Sequence, residues 1–264
     1  MTVRVATNGG EEDLGPIHWD GAKWVDAEGH DAFVFAKRHS AACETDGGTV
    51  TLPDSAYFRD FTLSKTDGGD LMLEAAAGCL LDVSGLFTLG GTANYTIGMS
   101  AKFGNSPFEL ASANSSLTFE KDAVFGGTIL IDNGATMTFN GDSTFDKTVL
   151  ISNGVLTVSG NVSGSGKIVE ATVYGNTNRK LCVNGASVNV PIDIGNKSAQ
   201  GTFVIAGVGT AKTNYFHGKV SDKGSTALYL GPGYTYVFDS GVGALIYQQD
   251  SDDLMPLVKK KLKL

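Results

Sequence analysis

The 264-residue chain is 42% hydrophobic, enough apolar material for one large core, which speaks against wholesale disorder. A net charge of −8 and a pI near 4.9 argue against a phosphate-binding surface for nucleic acid, and no run approaches the ~20 apolar residues that cross a bilayer. Thirty-five glycines against six prolines point to many tight turns between short strands, hence an all-β protein.

The opening stretch Met1–Gly15 has no apolar segment between a basic start and a small-residue cleavage site, so it does not read as an export signal. Further on, DAFVFAKRHSAAC (Asp31–Cys43) predicts a helix with Ala32, Phe35, Ala36, His39 and Cys43 near one face and Asp31 as its N-cap. Such a helix would cover an open sheet edge at the start of the fold. Thr49–Leu52, Asp70–Leu73, Leu86–Leu89 and Phe108–Leu110 then read as strands.

An internal repeat follows. Ser115–Gly134 aligns without gaps on Ala135–Gly154 at a period of 20, with nine of 20 positions identical, among them Phe119/Phe139, Asp122/Asp142, Phe125/Phe145, Leu130/Leu150 and Asn133/Asn153. A third unit places Leu156, Thr157 and Val158 under Met137, Thr138 and Phe139. Within each unit the local period is two, so Leu117 and Phe119 face inward and Thr118 outward. One unit cannot bury its apolar side alone, but stacked on its neighbours it completes a core, with equivalent residues ~4.8 Å apart. Asn133 over Asn153 would then form an amide ladder.

Lys180–Val183, Phe203–Ile205, Leu228–Leu230 and Tyr236–Phe238 continue the strands. The fold expected is a right-handed parallel β-helix (β-solenoid) of about ten coils, roughly 50 Å long, with a short N-terminal capping helix. Residues 1–46 form the opening strand and cap, 47–250 the β-helix, and 251–264 a polar, basic tail carrying Lys259, Lys260, Lys261 and Lys263.

Val5-Ala-Thr-Asn-Gly9, the helix at Asp31–Cys43, Gly47-Gly-Thr-Val-Thr-Leu-Pro53 and the following Tyr57 together resemble the opening of pectin-lyase-like right-handed β-helix proteins. Gly134–Val158, Thr213–Gly218 and Leu228–Gly231 are similar to the strand repeats of autotransporter passenger domains. These likenesses imply the fold. They leave activity open, because the first family spans lyases, glycosidases, phage tailspikes, adhesins and structural proteins.

Polysaccharide-cleaving β-helix enzymes need clustered carboxylates on one face. Asp122 and Asp142 are the best such pair, since the repeat stacks them; they would share a proton, hold a Ca²⁺ with carbonyl oxygens, or serve simply as turn residues, the reading Asp favours most. No catalytic residue, cofactor site or further metal site is assigned. His18, His30, His39 and His217 lack metal-ligand spacing, and there is no G-x-S-x-G elbow. Gly160–Lys167 fails as a phosphate loop because Ile168 replaces the Mg²⁺-binding hydroxyl and no helix pattern follows. Tyr215, Tyr229, Tyr234 and Tyr236, with Tyr247, crowd the last quarter and suggest either a glycan- or protein-binding strip or core packing with hydroxyls at the rim. Thr49/Thr51 and Thr136/Thr138 hint at an ice-binding face, but Leu117–Phe119 and Leu156–Val158 lack the Thr-x-Thr it needs. Cys43, Cys79 and Cys182 read as small buried apolar side chains.

The expected function is a non-enzymatic structural or adhesive module at the cell surface or outside the cell, with a glycan or surface protein as partner, no nucleic acid, and assembly as a homo-oligomer. The alternatives are a polysaccharide lyase or glycoside hydrolase, and a trimeric phage tail or head fibre on a virion.

Overall fold

Alternating burial over short runs builds the molecule. In Ser116–Phe119, Leu117 and Phe119 turn inward and Ser116 and Thr118 outward, and the same order recurs in Thr136–Phe139 and Val155–Val158. The computed structural model describes residues 2–7, 10–12, 18–19, 24–25, 40–46, 48–52, 54–65, 67–112, 115–170, 179–194, 202–222, 227–239, 244–248 and 255–256. Among the described residues every helix-or-strand element is a strand.

Each repeat unit supplies three strands joined by corners. Ser116–Phe119, Ala123–Phe125 and Ile129–Ile131 make one coil, and Thr136–Phe139, Ser143–Phe145 and Thr148–Ile151 make the next. Equivalent strands pair in parallel and in register: Phe119 lies opposite Phe139, Phe125 opposite Phe145 and Ile131 opposite Ile151. Three faces result. Sheet 1 has ten strands, nine of them running in parallel from Thr49–Leu52 to Ala227–Leu230. Sheet 2 also has ten, nine of them parallel from Ala56–Phe58 through Thr235–Asp239. The third face comes in two pieces, a five-stranded one containing Ser40–Thr45, Phe61–Lys65 and Phe87–Gly90, and a six-stranded sheet 3 from Phe108–Leu110 to Val220–Asp222. The chain is a parallel β-solenoid.

It completes about eight turns rather than ten. The repeat region misleads, because its coils are the short ones. Side chains that meet across coils are 24 residues apart between Asp70 and Asn94, 22 between Asn94 and Ser116, 20 between Glu120 and Asn140, 19 between Asp142 and Asn161, and 26 for the Asn161–Ser187 contact. About eight rungs at ~4.8 Å give a rod of roughly 38 Å.

The expected helix is overturned over its last residues. Ser40–Cys43 belong to the strand Ser40–Thr45, which pairs antiparallel with Thr2–Thr7 and parallel with Phe61–Lys65. Ala41 and Cys43 point inward at period two, and two sheet neighbours outweigh the weak helical preference of alanine. Residues 31–39 lie outside the described residues. Antiparallel strands also stand at the far end: Ala244–Gln248 lies on Thr235–Asp239, and Met255–Pro256 on Ala227–Leu230. A returning strand ends the parallel progression of the stack.

The core is made of columns along the axis. On sheet 1, Leu71, Tyr95, Leu117, Met137, Leu156 and Leu181 stand in line, each at most 1% exposed. Phenylalanines fill the centre: Phe119 stacks on Phe139 with ring centroids 5.1 Å apart and planes 7° apart, and Phe103 stacks on Phe125 at 4.5 Å. The corners must let coil lie on coil. A Cβ on Gly160 would come within 2.2 Å of the Gly141 carbonyl oxygen below, so backbone packs on backbone there. Asn133 takes φ = 54°, a left-handed turn that asparagine tolerates. The amide ladder expected with Asn153 does not form; Asn133 Nδ2 donates to the Ala111 carbonyl, and the Gly134 N–H donates to the Asn153 carbonyl.

Polar groups also enter the interior. Ser143 follows Ala101 and Ala123 in an inward column of sheet 2, and its hydroxyl has no hydrogen-bond partner. The columns therefore predict opposite outcomes for two changes. Phe139→Ala opens a cavity between stacked rings and should cost about 3–5 kcal/mol. Ser143→Ala, the residue the two preceding coils carry in this column, should raise stability by about 1 kcal/mol by removing an unpaired buried hydroxyl. Urea denaturation followed by tryptophan fluorescence and circular dichroism reads both.

Candidate ligand-binding surface

The two carboxylates singled out by the repeat do come together, one above the other at the corner leading into sheet 2. One oxygen of each is engaged by backbone. Asp122 Oδ1 accepts the Asp142 N–H at 3.0 Å, and Asp142 Oδ1 accepts the Asn161 N–H at 2.7 Å. Asn161 Oδ1 accepts the Ser187 N–H at 3.3 Å, and nearer the N-terminus Ser55 Oγ accepts the Leu80 N–H at 3.0 Å. At four steps along the stack this corner position thus clamps one coil to the following one with a short polar side chain, the same local chemistry that makes Asp and Asn turn residues. Among the described residues no group of three His, Cys, Asp or Glu is placed to hold a metal ion.

The tyrosines are dispersed rather than aligned. Tyr215 lies on the outer face of sheet 2, 40% exposed. Tyr229 is half-buried on the outer face of sheet 1. Tyr234 sits at the corner between these sheets, its hydroxyl donating to the Gly209 carbonyl and its ring 4.5 Å from the Lys212 Nζ. Tyr236 is fully buried: its hydroxyl donates to the Gly231 carbonyl and accepts the Gly207 N–H, both at 2.8 Å. Tyr95 repeats the device near the other end, donating to the Gly90 carbonyl and accepting the Lys65 N–H. Burial raises both phenol pKa values. Tyr236 is thus a core residue with a satisfied hydroxyl. The side chain of Tyr247 and the tail lysines lie outside the described residues, as do His30 and His39.

Sequence reading passed over three features. The first is a row along the strand Thr213–Phe216 and its continuation, where Asn214, Phe216 and Gly218 are buried and Tyr215, His217 and Lys219 exposed, with Lys212 exposed just before. The Tyr215 and His217 rings are parallel within 7°, centroids 6.2 Å apart. Period two in this stretch was a usable signal. The second is a buried ion pair, Arg179 with Glu170, both side chains 0% exposed. Glu170 continues the inward column of Leu110, Ile131 and Ile151, where a carboxylate has no apolar precedent and needs its cation. The third is a corner clamp in which Asp60 accepts the Ser40 hydroxyl, the Arg59 Nε–H and the Leu86 N–H.

The outer face of sheet 1 is polar and regular. Thr96, Thr118, Thr138 and Thr157 form one column, and beside it the Ser116 hydroxyl donates to Asn94, whose amide donates to Asp70. Burial pushes the Cys43 thiol up to about 11 and raises that of Cys182, away from the reactive thiolate. No helix among the described residues is long and apolar enough to cross a membrane.

Two tests follow from this geometry. Asp142→Ala removes the acceptor of the Asn161 N–H and should cost about 0.5–1.5 kcal/mol in denaturant, whereas Asp142→Asn keeps a carbonyl oxygen there and should retain most of the stability. For Asp60, burial alone would raise the pKa, but the Leu86 amide, the Ser40 hydroxyl and the Arg59 guanidinium together hold it below the ordinary value. A carboxyl depressed in the folded state stabilises fully above the unfolded pKa of ~4 and loses that contribution as pH falls through its lowered value. The stability gap between the parent and Asp60→Asn should therefore be full at pH 7 and close progressively in acid denaturation series.

Comparison with protein-family models, with curated protein sequences and with solved structures found no match to this chain.

Proposed function

We propose that the chain is a structural and adhesive rod, displayed outside the cell, that holds a partner by a repeated side-chain array rather than transforming it. The observation that carries this reading is the use made of Asp122 and Asp142. In the carboxylate pair on which a polysaccharide-cleaving site would depend, Oδ1 of each residue holds a backbone amide of the succeeding coil. A general acid must keep a proton free for a leaving oxygen and approach it without obstruction. Supporting it is the outer face of sheet 1, where threonine, serine and asparagine side chains recur at every rung over four coils, a spacing suited to an extended polymeric partner. Hydroxyl and amide groups of this kind bind sugars and peptide edges by many weak hydrogen bonds, each about 0.5–1.5 kcal/mol, so avidity along the rod supplies the affinity.

Incubation with a panel of neutral and acidic polysaccharides should yield neither new reducing ends nor unsaturated sugars, while the folded rod should be retained on immobilised surface glycans or surface proteins. Products formed by the parent and lost in Asp142→Asn would replace this reading with a lyase or hydrolase.

A further inference from the structure

Coil-on-coil packing calls for glycine at the corners, and turn chemistry favours asparagine beside it. A Cβ on Gly141 would come within 2.5 Å of the Lys121 carbonyl carbon in the coil below, so a side chain there would displace backbone. One consequence is a chain with five Asn-Gly pairs, beginning at Asn8, Asn133, Asn140, Asn153 and Asn184. Asn-Gly is the dipeptide most prone to lose its side-chain amide, because glycine has no Cβ to screen the following nitrogen. Asn8 and Gly9 lie outside the described residues, and the other four pairs differ in what holds the glycine N–H. The Gly134 N–H donates to the Asn153 carbonyl at 2.6 Å and the Gly185 N–H to Asn214 Oδ1 at 2.8 Å, which withholds both nitrogens. The Gly154 N–H meets no acceptor among the described residues, but Gly154 is buried, its Cβ position 2.6 Å from Ile131 Cγ2, and solvent does not reach it. Asn140 is different. It is exposed, Gly141 is half-buried, and the Gly141 N–H meets no acceptor among the described residues. Its side-chain amide is held by an exposed bond, Asn140 Nδ2 donating to Glu120 Oε2 at 3.0 Å.

We infer that Asn140 is a self-modification site, which loses its amide in the folded protein to become aspartate and isoaspartate and thereby loosens the corner it occupies. Water or hydroxide takes the Gly141 amide proton, and that nitrogen adds to Asn140 Cγ. The Cγ–Nδ2 bond breaks and ammonia departs, leaving a cyclic succinimide. A water molecule then opens the ring. Addition at Cγ restores the original backbone and leaves aspartate; addition at the α-carbonyl carbon leaves isoaspartate, whose main chain runs through Cβ. Either product puts a carboxylate opposite Glu120, where the amide had donated a hydrogen bond, and like charges so placed repel. Isoaspartate also lengthens the main chain by a carbon between two anchors, the Asn140 N–H on the Phe119 carbonyl and the Asp142 N–H on Asp122 Oδ1. Strands held strictly in register on either side cannot absorb that length, so the corner into sheet 2 must. The chemistry needs no partner, and it proceeds whatever the rod binds.

Ageing of the folded full chain in mildly alkaline buffer tests this, followed by peptide mapping with electron-based fragmentation, which separates isoaspartate from aspartate. Asn140 should convert at least about tenfold faster than Asn133, Asn153 and Asn184. In urea the four rates should converge, because the reacting dipeptide is the same and only the fold distinguishes them. Asn140→Gln keeps an amide beside Glu120 but closes the larger ring far more slowly, and should stay intact. The urea midpoint of the aged parent should fall in step with conversion, while that of the aged Asn140→Gln protein holds. The inference fails if Asn133, Asn153 or Asn184 converts first in the folded chain, or if all four convert together there. It fails equally if Asn140 keeps its amide long after the urea-unfolded chain has lost its own, or if fully converted protein retains the parent's midpoint.

Discussion

The structure depends on one constraint: each coil must lie in register on the coil before it, so that every backbone amide and every inward side chain meets its counterpart one inter-strand spacing away. With a side-chain period of two, a slip of one residue would turn Phe119 outward and bring Thr118 into the core. The strands therefore hold register strictly, and differences in coil length are taken up between them. The in-line phenylalanines, the leucine column of sheet 1 and the side-chain-to-amide clamps at the corner into sheet 2 are three expressions of the same alignment.

Polar residues follow from that constraint as well. A buried strand position passes its environment to the position above it, so an odd residue needs a local partner. Glu170 meets the need with Arg179, Tyr236 with the Gly207 and Gly231 backbone, and Tyr95 with Lys65 and Gly90. On the outside, alignment repeats one chemical group at each rung, which suits contact with an extended partner better than the convergent geometry of catalysis.

Much of the architecture was legible because the repeat carries the register directly. Alignment of Ser115–Gly134 on Ala135–Gly154 is the pairing found in all three faces, and Phe119 stacks on Phe139 as the alignment requires. The coil count was not legible, since corner lengths outside the repeat follow no period. The strand at Ser40–Thr45 was hidden because Ala-Ala-Cys suits either helix or strand, and the sheet neighbours that decide the matter are distant in sequence. Stacking of Asp122 on Asp142 was visible, but the amides that occupy them were not, because side-chain-to-backbone bonds across coils leave no mark in composition. Tyr215 and Tyr236 differ in fate through strand parity alone: Tyr215 is exposed, whereas Tyr236 stands opposite buried Asn214 in the next coil. The Glu170–Arg179 pair spans nine residues and no motif announces it.

The most direct test of coil-on-coil register is a disulfide between outward neighbours. Thr118 and Thr138 pair in adjacent parallel strands, within the ~4.4–6.8 Å Cα separation a disulfide needs. Under mild oxidation, the protein carrying Thr118→Cys and Thr138→Cys should form that one new bond, mapped by peptide mass spectrometry, with folding intact. Two free thiols at these positions, or a bond from either to Cys79 in its place, would contradict the stacking on which the whole account stands.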